Sequence, residues 1–448
     1  IYTNTIEKLY GRIRTPQLDQ NLLLNNVYPH EYSILERMDL THLDVFSIDP
    51  EGCEDADDAF SIFYDQGGLF LALHIADPTE FINLQSSLWA DISQYLITRY
   101  PSNRRPIHMI PDDIMERSSL MENKHGPIKN AITIVSEICQ SNFYPIGHIQ
   151  ILFSKIKVCW SNALSYPRAA ELCTTLQCLQ LGLNISDALK KIRGQKTVGI
   201  KLNEVSNSYP SYRDGQVLLY QDSYQEVLIK QMIAEFAIFA NSFVGEYLKI
   251  NLSGMGIFRS CQAQDWLTSL YSDITGNELL TEIITNGIKA EYLSEVSSHD
   301  LVGMPEYCHF TSPIRRVSDC VCHYLLKYIY WSFYKDIMIP FNHDQLSNYS
   351  NQCLQITRNM KKIQYRDLKF RLIQAMSQML MSRISLQLSF YITSYKCPFL
   401  NLIICQVEHH QIYLSYTLKR SNMSTFYNPK ERQTITVTKI NCPSRFDE

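Results

Sequence analysis

Residues 47–60 read Ser47-Ile48-Asp49-Pro50-Glu51-Gly52-Cys53-Glu54-Asp55-Ala56-Asp57-Asp58-Ala59-Phe60, which puts four aspartates, Asp49, Asp55, Asp57 and Asp58, within ten residues. The β-rich segments Val45–Asp49 and Ala59–Tyr64 flank the run, so it reads as a loop between strands. Carboxylates gathered this closely need either a cation or raised pKa values. Hard divalent ions such as Mg²⁺ take carboxylate oxygens and water. A pair of such ions can drive in-line displacement at a phosphodiester. A solvated acidic turn and a calcium loop are the other readings. The first would have polar flanks, which this run lacks. The EF-hand order fails because Gly52 precedes Asp55 and Asp57.

The remaining composition narrows the class. A chain of 448 residues predicts two or three domains. An apolar content of 45% is ample for packed cores and excludes general disorder. The net charge of −4 means that any nucleic-acid surface must be a local concentration of cations. The 13 cysteines include no C-x-x-C pair, which argues against structural zinc and for reduced intracellular thiols. The longest apolar-looking run, Val321 to Tyr334, carries His323 and Lys327 and is too short to span a bilayer, so no membrane association is expected. No secretory signal opens the chain. It begins at Ile1 rather than Met, so targeting information could lie upstream. A cytoplasmic location is expected, with an organelle matrix as the alternative.

Residues 1–40 read as a lead-in. Gln66-Gly67-Gly68 is a turn into a third strand, Leu69–Ala76, and Ile132–Ile138 is a further β segment. Glu226–Leu248 predicts a helix, with Ile229, Met232, Ile233, Phe236, Phe239, Phe243 and Tyr247 as its apolar stripe. Further helices are expected near 264–290, from Pro313, and over Asp344–Leu380. Beyond about residue 386 the texture becomes β, with strands at Phe399–Val407, Gln411–Leu418 and Thr434–Ile440. No glycine follows Gly303, so this tail is not a typical glycine-turned barrel.

Two more segments carry chemistry. In His309-Phe310-Thr311-Ser312-Pro313-Ile314-Arg315-Arg316, Thr311 or Ser312 could cap a helix with Pro313 in its first turn. A capped helix start offers free N–H groups to a phosphate, and Arg315 and Arg316 add donors. The competing reading pairs Arg315 with Asp319 one turn on. The basic loop Thr98-Arg99-Tyr100-Pro101-Ser102-Asn103-Arg104-Arg105-Pro106 offers Tyr100 as a stacking platform. With 28 tyrosines in the chain, an ordinary surface tyrosine is the alternative.

Together these segments resemble the catalytic domain of the ribonuclease II/R family. The acidic run is similar to that family's metal motif. His74-Ile75-Ala76-Asp77-Pro78-Thr79, Met109-Ile110-Pro111, Ser154-Lys155-Ile156 with Leu164-Ser165-Tyr166, and Ile233-Ala234-Glu235-Phe236 through Ala240-Asn241 follow in family order. Tyr307 to Arg316, with Asp319 and His323, resembles its most recognisable C-terminal motif. The matches cover about 40–385.

The resemblance implies an α+β fold, a mixed sheet with packed helices over 41–385, followed by a small all-β domain at 386–448. That tail would be a shortened OB-like RNA-binding barrel using Lys419, Arg420, Lys430 and Arg432, or a plain β appendage. The implied activity is Mg²⁺-dependent hydrolysis of single-stranded RNA from its 3′ end to 5′-mononucleotides, with Mn²⁺ as a substitute ion. By the same resemblance Asp49, Asp55, Asp57 and Asp58 hold the metal and orient water. Arg315 grips the scissile phosphate, Arg316 contacts RNA, and Tyr100 stacks on the terminal nucleotide. A monomer or a member of an RNA-decay complex is expected.

Two departures are visible. Tyr365-Arg366-Asp367 stands where the family often has Glu-Arg-Asp. Residues 1–40 are too few for the family's leading barrels. A catalytically weak RNA- or partner-binding protein is therefore the second hypothesis, and a calcium-binding structural module the third.

Overall fold

A computed structural model describes residues 10, 15–16, 29–102, 104–196, 208–213, 216–263, 265, 288–396, 399–419 and 431–440. Its centre is a five-stranded mixed sheet in the order β1-β6-β5-β4-β3. The strands are β1 (Met38–Asp39), β3 (Asp58–Asp65), β4 (Gly68–Ala76), β5 (Ile128–Ile138) and β6 (Pro145–Lys157). Only β1 runs parallel to its neighbour, with Met38 opposite Ser154, so the end of the lead-in segment joins the sheet edge. A separate short parallel pair, β2 (Ser47–Asp49) with β7 (Ala163–Ser165), carries Asp49.

β4 is buried on both faces, which explains its near-continuous apolar run. His74 breaks that run without penalty. It exchanges hydrogen bonds with Ser61 Oγ at 3.0 Å and Thr133 Oγ1 at 2.9 Å, and Thr133 continues to Ser154 Oγ at 2.7 Å. Burial lowers the His74 pKa to about 3, so this polar ladder across the sheet stays neutral.

The central helix, Tyr224–Asn251, starts with a capping box made by Ser223 and Glu226. Its buried stripe runs Ile229, Met232, Phe236, Ala240, Val244, Leu248. The expected stripe through Phe239, Phe243 and Tyr247 drifts to the flank, because steps of 3.6 residues carry the core face onto the small residues. Gly245 lets the backbone of Tyr307 and Cys308 lie against the helix, since a Cβ there would meet their amide nitrogens at 3.2 and 3.3 Å. This helix, rather than Val321–Tyr334, is the described helix long and apolar enough to cross a bilayer. Here its apolar positions pack into the core of the fold.

The helix expected from Pro313 begins four residues later, as Val317–Ser332 with Arg316 at its N-cap. Pro313–Arg315 form a turn instead. Most of the helix expected near 264–290 lies outside the described residues. Two short antiparallel pairs, β8 (Ser208–Arg213) with β9 (Gln216–Gln221) and β10 (Phe258–Ser260) with β11 (Glu291–Leu293), come next in the strand order. The longest described helix, His343–Met381, leads into an antiparallel four-stranded sheet in the order β14-β13-β12-β15. Its strands are β12 (Leu386–Lys396), β13 (Phe399–Val407), β14 (His410–Lys419) and β15 (Arg432–Val437). Without glycine, the β13–β14 turn places Glu408 in the left-handed region at φ 53°. Leu372 and Met376 of the long helix complete this sheet's own core. The α+β architecture with a small C-terminal all-β unit is thus observed.

Beneath the acidic loop sits a fully buried charge quartet. Arg37 Nη2 donates to Asp77 Oδ2 and Glu80 Oε2, both at 2.6 Å. Lys327 Nζ reaches the same two oxygens at 3.0 and 2.8 Å. Burial would raise the Asp77 pKa, but Lys327 and Arg37 hold it well below the usual carboxylate range. Two acids meet two cations, so the group is neutral. Removing one partner leaves a bare buried charge. We predict that Lys327→Met lowers unfolding stability by about 3–5 kcal/mol, measured by urea denaturation. A loss below about 1 kcal/mol would mean that the quartet behaves as a surface pair.

Candidate active site

Asp57 organises the site. Its Oδ1 accepts from Ile314 N at 2.8 Å and its Oδ2 from Arg315 Nε at 2.9 Å. The loop before β3 is thereby tied to a turn 257 residues away. That turn is held from behind as well. Asn241 Oδ1 accepts from Phe310 N at 2.8 Å and Thr311 N at 3.2 Å, and Asp319 Oδ1 accepts from Ser312 N at 2.8 Å.

The expected seat of free helix-start amides is therefore not found. The turn amides of Ser312 and Ile314 are already committed to Asp319 and Asp57. The two arginines also part company. Arg316 forms a two-pronged pair with Asp319 at 2.8 and 2.9 Å, and the cavity described below is not lined by it. The helix-pair reading belongs to Arg316. Arg315 instead bonds Asp57 and, through Nη2, Ser312 Oγ at 2.7 Å.

A cavity of about 410 Å³ opens between these segments. Asp49, Asp55, Asp57, Asp58, Tyr100 and Arg315 all line it. The Tyr100 segment reaches it by pairing with the motif: Thr98 N donates to Arg315 O at 3.0 Å and Val317 N to Leu96 O at 2.9 Å. The Tyr100 hydroxyl then donates to Asp55 Oδ2 at 2.6 Å. Asp49 is brought in by β2, and the loop between them turns at Gly52, whose φ of 78° suits glycine. Sequence reasoning missed Lys230 of the central helix, which also lines the cavity and donates to Asp222 Oδ2 at 2.6 Å. A lone lysine on an apolar helix face was the available signal. Tyr166, the first residue of the helix Tyr166–Leu172 that follows β7, lines the cavity too.

The charges are unbalanced. Among the described residues, no lysine or arginine forms an ion pair with Asp49, Asp55 or Asp58. Burial, then Asp58, raises the Asp49 pKa to about 7, and burial raises Asp58 to about 6. Asp57 is raised well above its ordinary value by burial, against the pull of Arg315. Asp49 Oδ2 is buried without a hydrogen-bond partner. An all-oxygen donor set with a surplus of negative charge and an orphaned carboxylate oxygen fits a hard divalent cation. The four aspartates are nevertheless spread around the cavity. Among the described residues, the set that brings three ligand atoms within 4.8 Å of one another is Asp113, Glu116 and His125. There Arg117 and Lys124 already pair with the acids.

Other candidates fall elsewhere. Tyr365 does not line the cavity; its hydroxyl donates to Ser415 O at 2.6 Å and ties the long helix to β14. Asp367, two residues on, accepts from Ser102 Oγ at 2.8 Å and Tyr10 Oη at 3.3 Å and so steadies the Tyr100 loop. Arg420 and Lys430 lie outside the described residues, and Lys419 is described only as the last residue of β14. Arg432 is exposed and donates to Gln406 Oε1.

A mixed sheet that carries an acid-lined cavity, with one arginine clamped at its rim, defines a hydrolase-like scaffold of known type. Residues 37–332 match the RNB domain family, and the chain belongs to that family. It is 29% identical over 353 residues to Exoribonuclease 2 of Actinobacillus succinogenes, an alignment covering 65% of this chain and 51% of that protein. The chain thus spans about half the length of this relative. In fold it is similar to an active-site mutant of the Dss1 exoribonuclease from Candida glabrata, with a TM-score of 0.73, 16% identity and coverage of 90% and 54% of the two chains. It is also similar to yeast Ssd1, described as a pseudonuclease, with a TM-score of 0.63, 16% identity and coverage of 87% and 50%.

The raised carboxyls give a pH prediction. Asp49 and Asp58 ionise near the ordinary value of 3.8 when unfolded, and near 7 and 6 when folded. Between pH 4 and 7 the folded state holds more protons, so stability without metal falls as pH rises. Asp49→Asn removes part of that cost. With EDTA present it should raise the thermal midpoint at pH 8 by about 2–4 °C and change it little at pH 4. Equal midpoints at pH 8 would show that folding does not raise the Asp49 pKa.

Proposed function

We propose that the chain is a 3′→5′ exoribonuclease that hydrolyses the last phosphodiester of single-stranded RNA and releases 5′-mononucleotides. The observation that carries this reading is the cavity in which Asp49, Asp55, Asp57 and Asp58 face Arg315 on an RNB scaffold. The four aspartates are the residues that would hold Mg²⁺, or Mn²⁺ in its place. When bound, the metal supplies Lewis-acid polarisation of the phosphate and lowers the pKa of water.

The chain's own residues supply the rest. Arg315 is fixed through Nε and Nη2 by Asp57 and Ser312. Its Nη1 is then the donor for a phosphate oxygen, already oriented before substrate arrives. Tyr100 is 37% exposed, so its ring has an open part on which a terminal base can stack, at about 1–3 kcal/mol per base. Lys230 and Tyr166 line the same cavity, with Lys230 Nζ 5.4 Å from the centre of the Tyr166 ring, and a second phosphate can sit against them. Above pH 7 the Asp49 and Asp58 carboxyls are ionised and ready for the cation, so hydrolysis should rise between pH 6 and 8. A cytoplasmic location and membership of an RNA-decay complex belong to the same proposal, as does an RNA-tracking role for the C-terminal sheet.

A second reading, an RNB-fold protein that binds RNA without cutting it, is favoured by the likeness to Ssd1. That likeness concerns the fold. Against it stands the full complement of four aspartates and Arg315 at one cavity.

RNA labelled at either end and incubated with Mg²⁺ separates the readings. The exonuclease releases the 3′ label as mononucleotide, and EDTA stops it. Arg315→Ala should slow release by about 10²-fold. Asp49→Asn should abolish it while RNA binding persists. Intact RNA after incubation with the Mg²⁺-loaded protein would favour the binding protein.

A further inference from the structure

His108 does not line the acidic cavity, yet it is an unusual residue. Its side chain is fully buried, and neither ring nitrogen has a hydrogen-bond partner. A buried polar group in that state is costly, and native folds retain such groups where a function needs them. Its nearest carboxylate is Asp55, with Nδ1 3.7 Å from Oδ2. That is just beyond hydrogen-bond reach.

The backbone explains the placement. Arg99 N donates to Ile107 O at 3.0 Å and Ile107 N to Arg99 O at 2.8 Å, so segments 98–100 and 107–109 are paired. Tyr100 follows the first bridge residue and His108 the second. Both side chains converge on the same oxygen, Asp55 Oδ2. Thr98 Oγ1 accepts from Met109 N at 3.1 Å and Thr15 Oγ1 from His108 N at 3.1 Å, which holds the imidazole where it is. Tyr100 currently occupies the oxygen, at 2.6 Å.

We propose that His108 is a positioning residue for Asp55: as the Nδ1–H tautomer it donates to Asp55 Oδ2 whenever the Tyr100 hydroxyl leaves that oxygen. The carboxylate then keeps its aim at a divalent cation while Tyr100 engages the end of the RNA. The inference rests on the reading of Asp55 as a metal ligand. Partners that orient a ligating carboxylate typically change metal affinity 10–100-fold. Because two donors share one acceptor, either suffices and the loss of both does not.

The test is a cycle of Mn²⁺ titrations on the full chain, followed by the EPR signal of the free ion. Tyr100→Phe alone should weaken binding by no more than about threefold, and Tyr100→Phe with His108→Leu by about 10–100-fold. Tyr100→Phe with His108→Asn should recover most of the affinity, because a carboxamide can donate in place of Nδ1–H. Thermal midpoints in EDTA separate this from misfolding: Leu replaces an unpartnered imidazole, so the midpoint should hold or rise. If the Tyr100→Phe/His108→Leu protein binds Mn²⁺ like Tyr100→Phe, or His108→Asn gives no recovery, the proposal for His108 is wrong. Asp55→Asn tests the underlying reading separately. Unchanged Mn²⁺ binding in that variant overturns Asp55 as a ligand, whatever the His108 variants do.

Discussion

The double acceptance by Asp57 is the interaction on which the site depends. One carboxylate takes the Ile314 amide and the Arg315 guanidinium and joins two segments far apart in the chain. Its own main chain is anchored in turn, since Asp57 O accepts from Ala76 N at 2.8 Å. The sheet therefore sets the position of the acidic loop, and the loop sets the position of Arg315. Without that link the cavity would have no defined rim, and the arginine would be one more mobile surface cation.

The fold treats two groups of buried acids in opposite ways. Asp77 and Glu80 are matched by Arg37 and Lys327, all essentially without solvent exposure. That group is neutral and fixes the strand-end turn beneath the motif helix. Among the described residues, no lysine or arginine matches Asp49, Asp55 or Asp58 in this way. Asp49 and Asp58 are tolerated through raised pKa values, at a cost to stability that grows with pH. The chain thus compensates one pair of buried acids with cations of its own and leaves the other set uncompensated, a difference that supports the proposed cation site.

Much of this was legible in residues 47–60 and 307–316, because both segments carry their chemistry in local spacing. The strands around the acidic loop, the central helix and the long helix also announced themselves through period and caps. Errors arose where a long-range partner decided the outcome. Pro313 suggested a helix start, but Asp57 and Asp319 accept the turn amides and hold the helix back to Val317. Arg315 and Arg316 are adjacent and chemically alike, and only the third dimension sends one to the cavity and the other to Asp319. Tyr365 looked like damage to the pocket. It lies on the side of the long helix that docks onto β14, where a tyrosine can hydrogen-bond Ser415.

The amino-acid order alone thus marked most of the elements and the kind of chemistry, because periodicity and charge density are properties of neighbours along the chain, while the α+β class followed from the resemblance those segments carry to a known family. The tertiary structure decided which charged groups meet. Burial and partner choice depend on residues hundreds of positions apart, and these set the pKa of Asp49, the fixed pose of Arg315 and the orphaned imidazole of His108. The four aspartates in ten residues marked the place. That Asp57 pairs with Arg315 while Asp49, Asp55 and Asp58 have no matching lysine or arginine among the described residues appears only once the chain has folded around them.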